Sequence, residues 1–176
     1  MKFLVLAVLA VALVFGAECM SVRKDLVAER QAIDADWAQV DAALVQRAGI
    51  VPELTGLVQA EAPAETAAIL PVNEARKLLG LAHSQEEKIQ ANTRLHEALA
   101  RLMLQVEFHP KLESSKKYVD LLETLQGAEN QIDVARRKYN EAVEHYNAGI
   151  ELFPKNIVAS VTRLGKIDAY FQTPAI

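Results

Sequence analysis

Residues 118–154, YVDLLETLQGAENQIDVARRKYNEAVEHYNAGIELFP, decide the fold. Tyr118, Leu125, Ile132, Tyr139, Tyr146 and Phe153 recur at every seventh position, and all are large and apolar or aromatic. Three residues after each of the first five stand Leu121, Ala128, Ala135, Ala142 and Gly149, so a ridge of bulky side chains runs beside a strip that shrinks toward nothing. That pattern describes one seam of a long helix against which a second helix can approach closely. It predicts a helix over 111–153, stopped by Pro154.

Working outward, residues 21–58 carry a second stripe of the same kind. Leu26, Ile33, Trp37, Val40, Leu44, Val51, Leu54 and Val58 advance by sevens, threes and fours, with the start expected at Ser21 or Asp25. Pro52 removes one amide hydrogen bond, which predicts a bend near 48–52 without a break. Pro63 and Pro71 bracket a short second helix, either one suited to its first turn, with Ile69, Val72, Leu78 and Leu79 as its apolar positions. Residues 80–84 read as a turn. Ser84 with Glu87 three residues later forms a helix-start signature for a third helix carrying Ile89, Leu95, Leu99, Leu102 and Val106, ended by Pro110. The tail is expected to add a short helix with Ile157, Val158 and Val161, and Tyr170-Phe171 as a packing clasp.

Composition agrees with this reading. The chain has 176 residues, of which 51% are hydrophobic and 24% charged, so one domain can bury a core. Seven glycines and six prolines leave little turn material for a many-stranded sheet. The expected fold class is all-α: an antiparallel long-helix bundle of about four helices plus a short C-terminal helix, preceded by an N-terminal hydrophobic anchor helix. A net charge of -4 and a pI near 5.6 exclude a nucleic-acid partner, which needs a concentrated cationic face. The run Arg136-Arg137-Lys138 is followed one turn later by Glu141 and Glu144, as on a solvated helix face.

At the front, Met1-Lys2 precedes the uninterrupted apolar run FLVLAVLAVALVFGA, residues 3–17. As a helix it reaches about 22 Å, against about 30 Å of hydrocarbon in a bilayer. It reads as a retained membrane anchor, dividing the chain into an anchor or signal segment, 1–20, and a bundle domain, 21–176. A cleaved secretory signal is an alternative, but cutting after Ala17 leaves bulky Phe15 where a small residue belongs. A lipoprotein acylated on Cys19 is another, although Glu18 stands directly before the cysteine where a small residue is expected. Lys2 on one side and Arg23, Lys24 and Arg30 on the other leave the orientation open. A lone cysteine allows no internal disulfide.

Several catalytic constellations are absent from the sequence. The residues three before His83, His96, His109 and His145 are Gly80, Thr93, Val106 and Ala142, so no Glu-x-x-His pair of a di-iron bundle occurs. His96-Glu97 lacks the second histidine of a zinc protease, and Gly165-Lys166 lacks the partner glycine of a phosphate loop. No cofactor, metal or small-molecule substrate is expected, and the chain reads as a non-enzyme. Ala142, Tyr146, Gly149, Ile150 and Pro154 fall at the spacing of a tetratricopeptide second helix, which would make a peptide-binding module. Against it, Gln126, Glu129, Asn130 and Asp133 stand where that motif's first helix wants bulky apolar groups.

The stretch 33–41, IDADWAQVD, the arginine and proline of 47–54, RAGIVPEL, and Glu129-Asn130-Gln131-Ile132 followed by Arg136, Tyr139-Asn140, Tyr146-Asn147 and Phe153-Pro154 together resemble the LemA family. The resemblance covers essentially everything after the hydrophobic head. It implies an N-terminal membrane segment followed by a long-helix bundle, mostly in bacteria, with no established enzymatic activity. Two departures stand out: Ala62-Pro63-Ala64 replaces a more polar junction, and Glu18-Cys19 is not a clean lipidation signal.

The polar residues of the match suggest a site. Gln126, Asp133, Asn140 and Asn147 form a polar stripe beside the seam, and the first helix offers Asp34, Gln39, Asp41 and Arg47. Glu129, Asn130, Arg136, Asn140 and Asn147 are expected to hydrogen-bond across the helix interface and fix its register, or to line a groove for a partner segment. Trp37 is expected as a core anchor, with a partner-binding hot spot as the other reading. The function that fits is a membrane-anchored helical scaffold or adaptor of the bacterial cell envelope. It would sit in the cytoplasmic membrane by a single N-terminal pass through residues 3–17, with another envelope protein as partner.

Overall fold

A computed structural model describes residues 2–171, and for 2–15 and 17 the backbone only. Every regular element among the described residues is helical: α1 (Lys2–Glu61), a 3-10 turn (Pro63–Glu65), α2 (Thr66–Leu81), α3 (Gln85–Val106), α4 (Pro110–Glu113), α5 (Lys116–Gly149) and α6 (Lys155–Thr162). The chain is all-α, as its composition and periodicity predict. The expected anchor, residues 3–17, lies outside the residues whose side chains are described, apart from Gly16. Among the described residues no helix is long and apolar enough to cross a membrane.

Two compact units make up the chain. The first joins Met1–Trp37 to Lys138–Asp168. Within it α1 and α5 run antiparallel. Trp37 meets Tyr139 edge-on with ring centroids 5.2 Å apart, and seven residues back along α1 the Arg30 guanidinium lies 6.0 Å over the ring of Tyr146, seven residues further along α5. Leu26, Ile33, Tyr139, Val143, Tyr146, Ile150 and Val158 form its core. Asn147 then fastens the returning tail through both ends of its amide: Nδ2 donates to the Ile167 carbonyl at 2.8 Å and Oδ1 accepts from the Ile167 amide at 2.9 Å. Tyr146 adds a hydroxyl bond to the Leu164 carbonyl at 3.2 Å.

The second unit joins Ala38–Arg137 to Ala169–Ile176. Here α2 and α3 form an antiparallel hairpin. Its core takes Val40, Leu44, Val51, Leu54 and Val58 from α1, Ile69 and Val72 from α2, Leu95, Leu99, Leu102 and Val106 from α3, and Tyr118, Leu125 and Ile132 from α5. Ser84 and Glu87 close a reciprocal capping box at the start of α3. The backbone amides of His83 and Ser84 donate to the Glu87 carboxylate and hold its pKa below the ordinary value of 4.5.

Pro52 sits inside α1 without ending it. A proline cannot donate to the carbonyl four residues back, which leaves the Ala48 oxygen without its helical partner. Arg76 of α2 supplies one, its Nε donating to that oxygen at 3.0 Å.

Several expectations are corrected. The first helix does not start at Ser21 or Asp25, because α1 runs unbroken through both. The long helix does not span 111–153. It breaks at Ser114-Ser115, where Ser115 Oγ accepts from the Tyr118 amide at 3.2 Å and caps α5, and it ends at Gly149 in tight turns. Phe153 therefore leaves the seam and is 72% exposed. The second seam drifts as well: it follows Leu121, Ala128 and Ala135 at three residues past the ridge, then passes to Val143 and Ile150 at four. A heptad falls short of two straight α-helical turns by about 20°, which accounts for the shift.

Pro63 opens the 3-10 turn rather than α2, and Pro71 lies within α2, where Ala75 is buried and Leu78 exposed. The third helix ends at Val106, and Pro110 begins α4. In α6 Val158 is buried while Ile157 and Val161 face outward, so only part of the expected apolar set packs. Of the Tyr170-Phe171 clasp, Phe171 is buried and Tyr170 is partly exposed. α5 continues without a turn through the place where a tetratricopeptide motif must reverse, which removes that architecture.

Candidate partner-binding groove

The most unusual core position is Arg47. It falls on the stripe of α1 occupied otherwise by Val40, Leu44, Val51 and Leu54, and its side chain is 0% exposed. A guanidinium cannot shed its charge, so burial demands partners. Nη1 donates to Glu129 Oε2 of α5 at 2.6 Å, and Nη2 donates to Asn92 Oδ1 of α3 at 2.6 Å. Three helices are thereby tied at one level. Nε has no hydrogen-bond partner among the described residues. The other oxygen of Glu129 lies 3.2 Å from Nδ1 of His96, one turn beyond Asn92 on α3.

Beside this tie lies a solvent-open groove of about 940 Å³. One wall is α3, with Glu86, Ile89, Gln90, Thr93, Arg94 and Glu97; the other is α5, with Glu129, Ile132, Asp133 and Arg136; Ala169, Tyr170 and Phe171 complete it. Ile89 and Tyr170 supply the accessible apolar surface, over a floor of buried Ile132 and Phe171, while charges of both signs line the edges. Arg136 pairs with Asp133 at 3.2 Å on its own helix. The groove is open to solvent, with a polar and charged rim around a small apolar surface.

The other candidate residues fall into separate places. Asp41 pairs with Lys88 of α3, a second bridge between the same helices as Arg47 and Asn92. Asp34, Gln39 and Asn130 are on exposed helix faces, and Asn140 is half-buried. Asn147 clamps the tail, as described above, and belongs to the first unit with Trp37. Trp37 is half-buried rather than a core anchor; the buried acid is its neighbour Asp36, which Lys138 meets at 2.7 Å. Cys19 is a free thiol of intermediate exposure. Among the described residues no three His, Cys, Asp or Glu side chains are grouped to share a metal ion.

Asn92, His96 and Lys88 are the partners that periodicity did not single out. Asn92 stands three residues before Leu95 on the inward side of α3, so a polar residue at that offset was the available signal.

Comparison with known proteins places this arrangement. Residues 36–175 match the LemA family. Over 99 residues the chain is 28% identical to the magnetosome protein MamQ of Magnetospirillum gryphiswaldense, and 31% identical to the magnetosome proteins MamQ 1 and MamQ 2 of Paramagnetospirillum magneticum. Each match covers 56% of this chain and 36% of the relative, so the chain spans about a third of the length of the curated relatives it matches.

Proposed function

Because the chain belongs to the LemA family, we propose that it is a non-enzymatic helical adaptor of the bacterial cell envelope, anchored in the cytoplasmic membrane by residues 3–17. The groove between α3 and α5 receives a segment of a second envelope protein. The observation that carries this reading is the buried Arg47–Glu129–Asn92 tie. A buried, fully charged guanidinium adds little stability compared with an apolar side chain of the same size, but it fixes which faces meet. Here it holds the two walls of the groove at one register. A bundle that only needed to be stable would have used leucine.

The magnetosome association belongs to the relatives. What this chain shares with them over the matched stretch supports a common helical framework, and the apolar head supports a tether.

The reading is tested in cells carrying the full chain with Ile89→Glu, which places a charge on the apolar surface of the groove. The wild-type chain, isolated from detergent-solubilised membranes, is expected to bring with it a membrane protein that the variant loses. The variant should keep its helical circular dichroism and its place in the membrane fraction. An unchanged set of co-isolated proteins would count against the groove as the docking site.

A further inference from the structure

The corner between α5 and α6 exposes four large apolar side chains within ten residues: Leu152 (66%), Phe153 (72%), Ile157 (45%) and Val161 (79%). Ile157 and Val161 are one turn apart on α6, on the side away from the buried pair Val158 and Ala159. The Asn156 amide donates to the Leu152 carbonyl at 2.9 Å, which ties the corner to the first turn of α6. Singly exposed leucines are ordinary, but a contiguous apolar patch marks a contact.

The register of the first unit says where this patch lies. Along α1 and α5, Trp37 pairs with Tyr139 and Arg30 with Tyr146; beyond the corner, Lys155 Nζ meets Glu29 Oε1 at 2.6 Å. The corner therefore sits beside the part of α1 that precedes Glu29, on the side of the apolar run 3–17. Twelve residues of helix separate Ala17 from Glu29, about 18 Å. The run itself falls about 8 Å short of a bilayer's hydrocarbon thickness. Bilayer thinning, or drawing residues 18–22 into the interfacial layer, makes up such a shortfall and brings the corner toward the headgroups. At that level α1 exposes Arg23 and Lys24, and Arg163 directly follows α6. Of the acids nearby, Glu29 and Glu151 are paired with Lys155 and Lys166, while Glu18 and Asp25 are exposed on α1 beside Arg23 and Lys24. An apolar patch flanked by arginine and lysine fits the boundary of an anionic bilayer.

We propose that this corner is a second membrane contact: Leu152, Phe153, Ile157 and Val161 enter the headgroup–acyl boundary of the bilayer that holds residues 3–17. The proposal rests on the anchored reading given above. With its two contacts the first unit lies against the membrane surface, instead of swinging from one helix.

The test uses the full chain with Cys19→Ser and a spin label on Phe153→Cys or Val161→Cys, reconstituted in vesicles of phosphatidylcholine and phosphatidylglycerol. Arg101→Cys, on an exposed face of α3, serves as the water-facing control. Labels at both corner positions are expected to collide several-fold less often with a water-soluble nickel chelate than the control label, and more often with oxygen. If the chain floats with the vesicles but the corner labels meet nickel as often as the control, the corner contact is overturned and the tether stands. Spin–spin broadening at position 161 that grows with protein-to-lipid ratio would overturn it in favour of a second copy of the chain. A chain that does not float with vesicles at all defeats the tether, and the corner contact with it.

Discussion

Removing the charge of Glu129 should be far more damaging than removing Arg47 itself. In Glu129→Gln the guanidinium stays charged and 0% exposed, while its 2.6 Å charge-assisted bond is replaced by a neutral one. Two unit charges 4 Å apart attract by about 4 kcal/mol at an effective dielectric of 20. Loss of one partner of a buried pair typically costs about 3 to 5 kcal/mol. Glu129 is 33% exposed, so water screens part of this, and about 3 kcal/mol is expected. Arg47→Met removes the buried charge and keeps most of the volume, leaving Glu129 with solvent and His96; a loss of about 1 kcal/mol or less is expected. The double variant should behave like Arg47→Met alone. Urea unfolding of the full chain in detergent, followed by far-ultraviolet circular dichroism, measures all four. At about 1 to 3 kcal/mol per molar urea, Glu129→Gln should lower the midpoint by roughly 1 to 3 M. Equal losses for Arg47→Met and Glu129→Gln would refute the idea that the tie fixes register rather than supplying stability.

Tyr139→Ala should destabilise by about 3 to 5 kcal/mol, because the ring is 0% exposed and stacks edge-on with Trp37; a loss under about 1 kcal/mol in the same urea assay would contradict its core role. Asn147→Ala opens both hydrogen bonds to Ile167, so amide exchange of residues 164–168 should rise while that of α3 does not change. Arg76→Met leaves the Ala48 carbonyl uncapped beside Pro52 and should cost about 1 kcal/mol, with faster exchange confined to the α1 turn around 48–52. Glu87 has a folded pKa below 4.5, so its contribution is full above that value and fades as the pH falls through the lower folded one. The stability gap between wild type and Glu87→Gln should therefore close on acidification, and a gap constant down to the acid limit would contradict the cap. Tyr118 is shifted the other way: burial, then Glu113 and Glu107, raise its pKa above 10.0, so stability should fall as the pH rises past 10 toward that higher value. Tyr118→Phe should flatten that alkaline loss.

The antiparallel helices were legible because burial leaves a periodic trace. Tyr118, Leu125, Ile132, Tyr139 and Tyr146 are all in the core, and so is the α1 stripe from Leu26 to Val58 apart from half-buried Trp37. Arg47 could be flagged because a charge on an apolar stripe demands a partner. Its partner Asn92, and the His96 that meets Glu129, were harder to assign: Asn92 carried only its polar character at an inward offset, and which face of α3 meets α1 depends on packing that no local period records. The breaks were harder still. Ser115 is an ordinary helix residue until its hydroxyl takes the Tyr118 amide, and Phe153 keeps the seven-residue spacing after the helix has already ended at Gly149. Spacing reports the face a residue would occupy if the helix continued; it does not report that it continues.

The adaptor reading is tested most directly by a scan of photo-reactive amino acids in living cells, placed singly at Gln90, Thr93 and Arg94 in the groove and at Leu104 and Glu123 on exposed positions outside it. One membrane protein crosslinked from all three groove positions and from neither of the others is the expected result. Adducts of equal yield from both sets, or none from the groove, would contradict it.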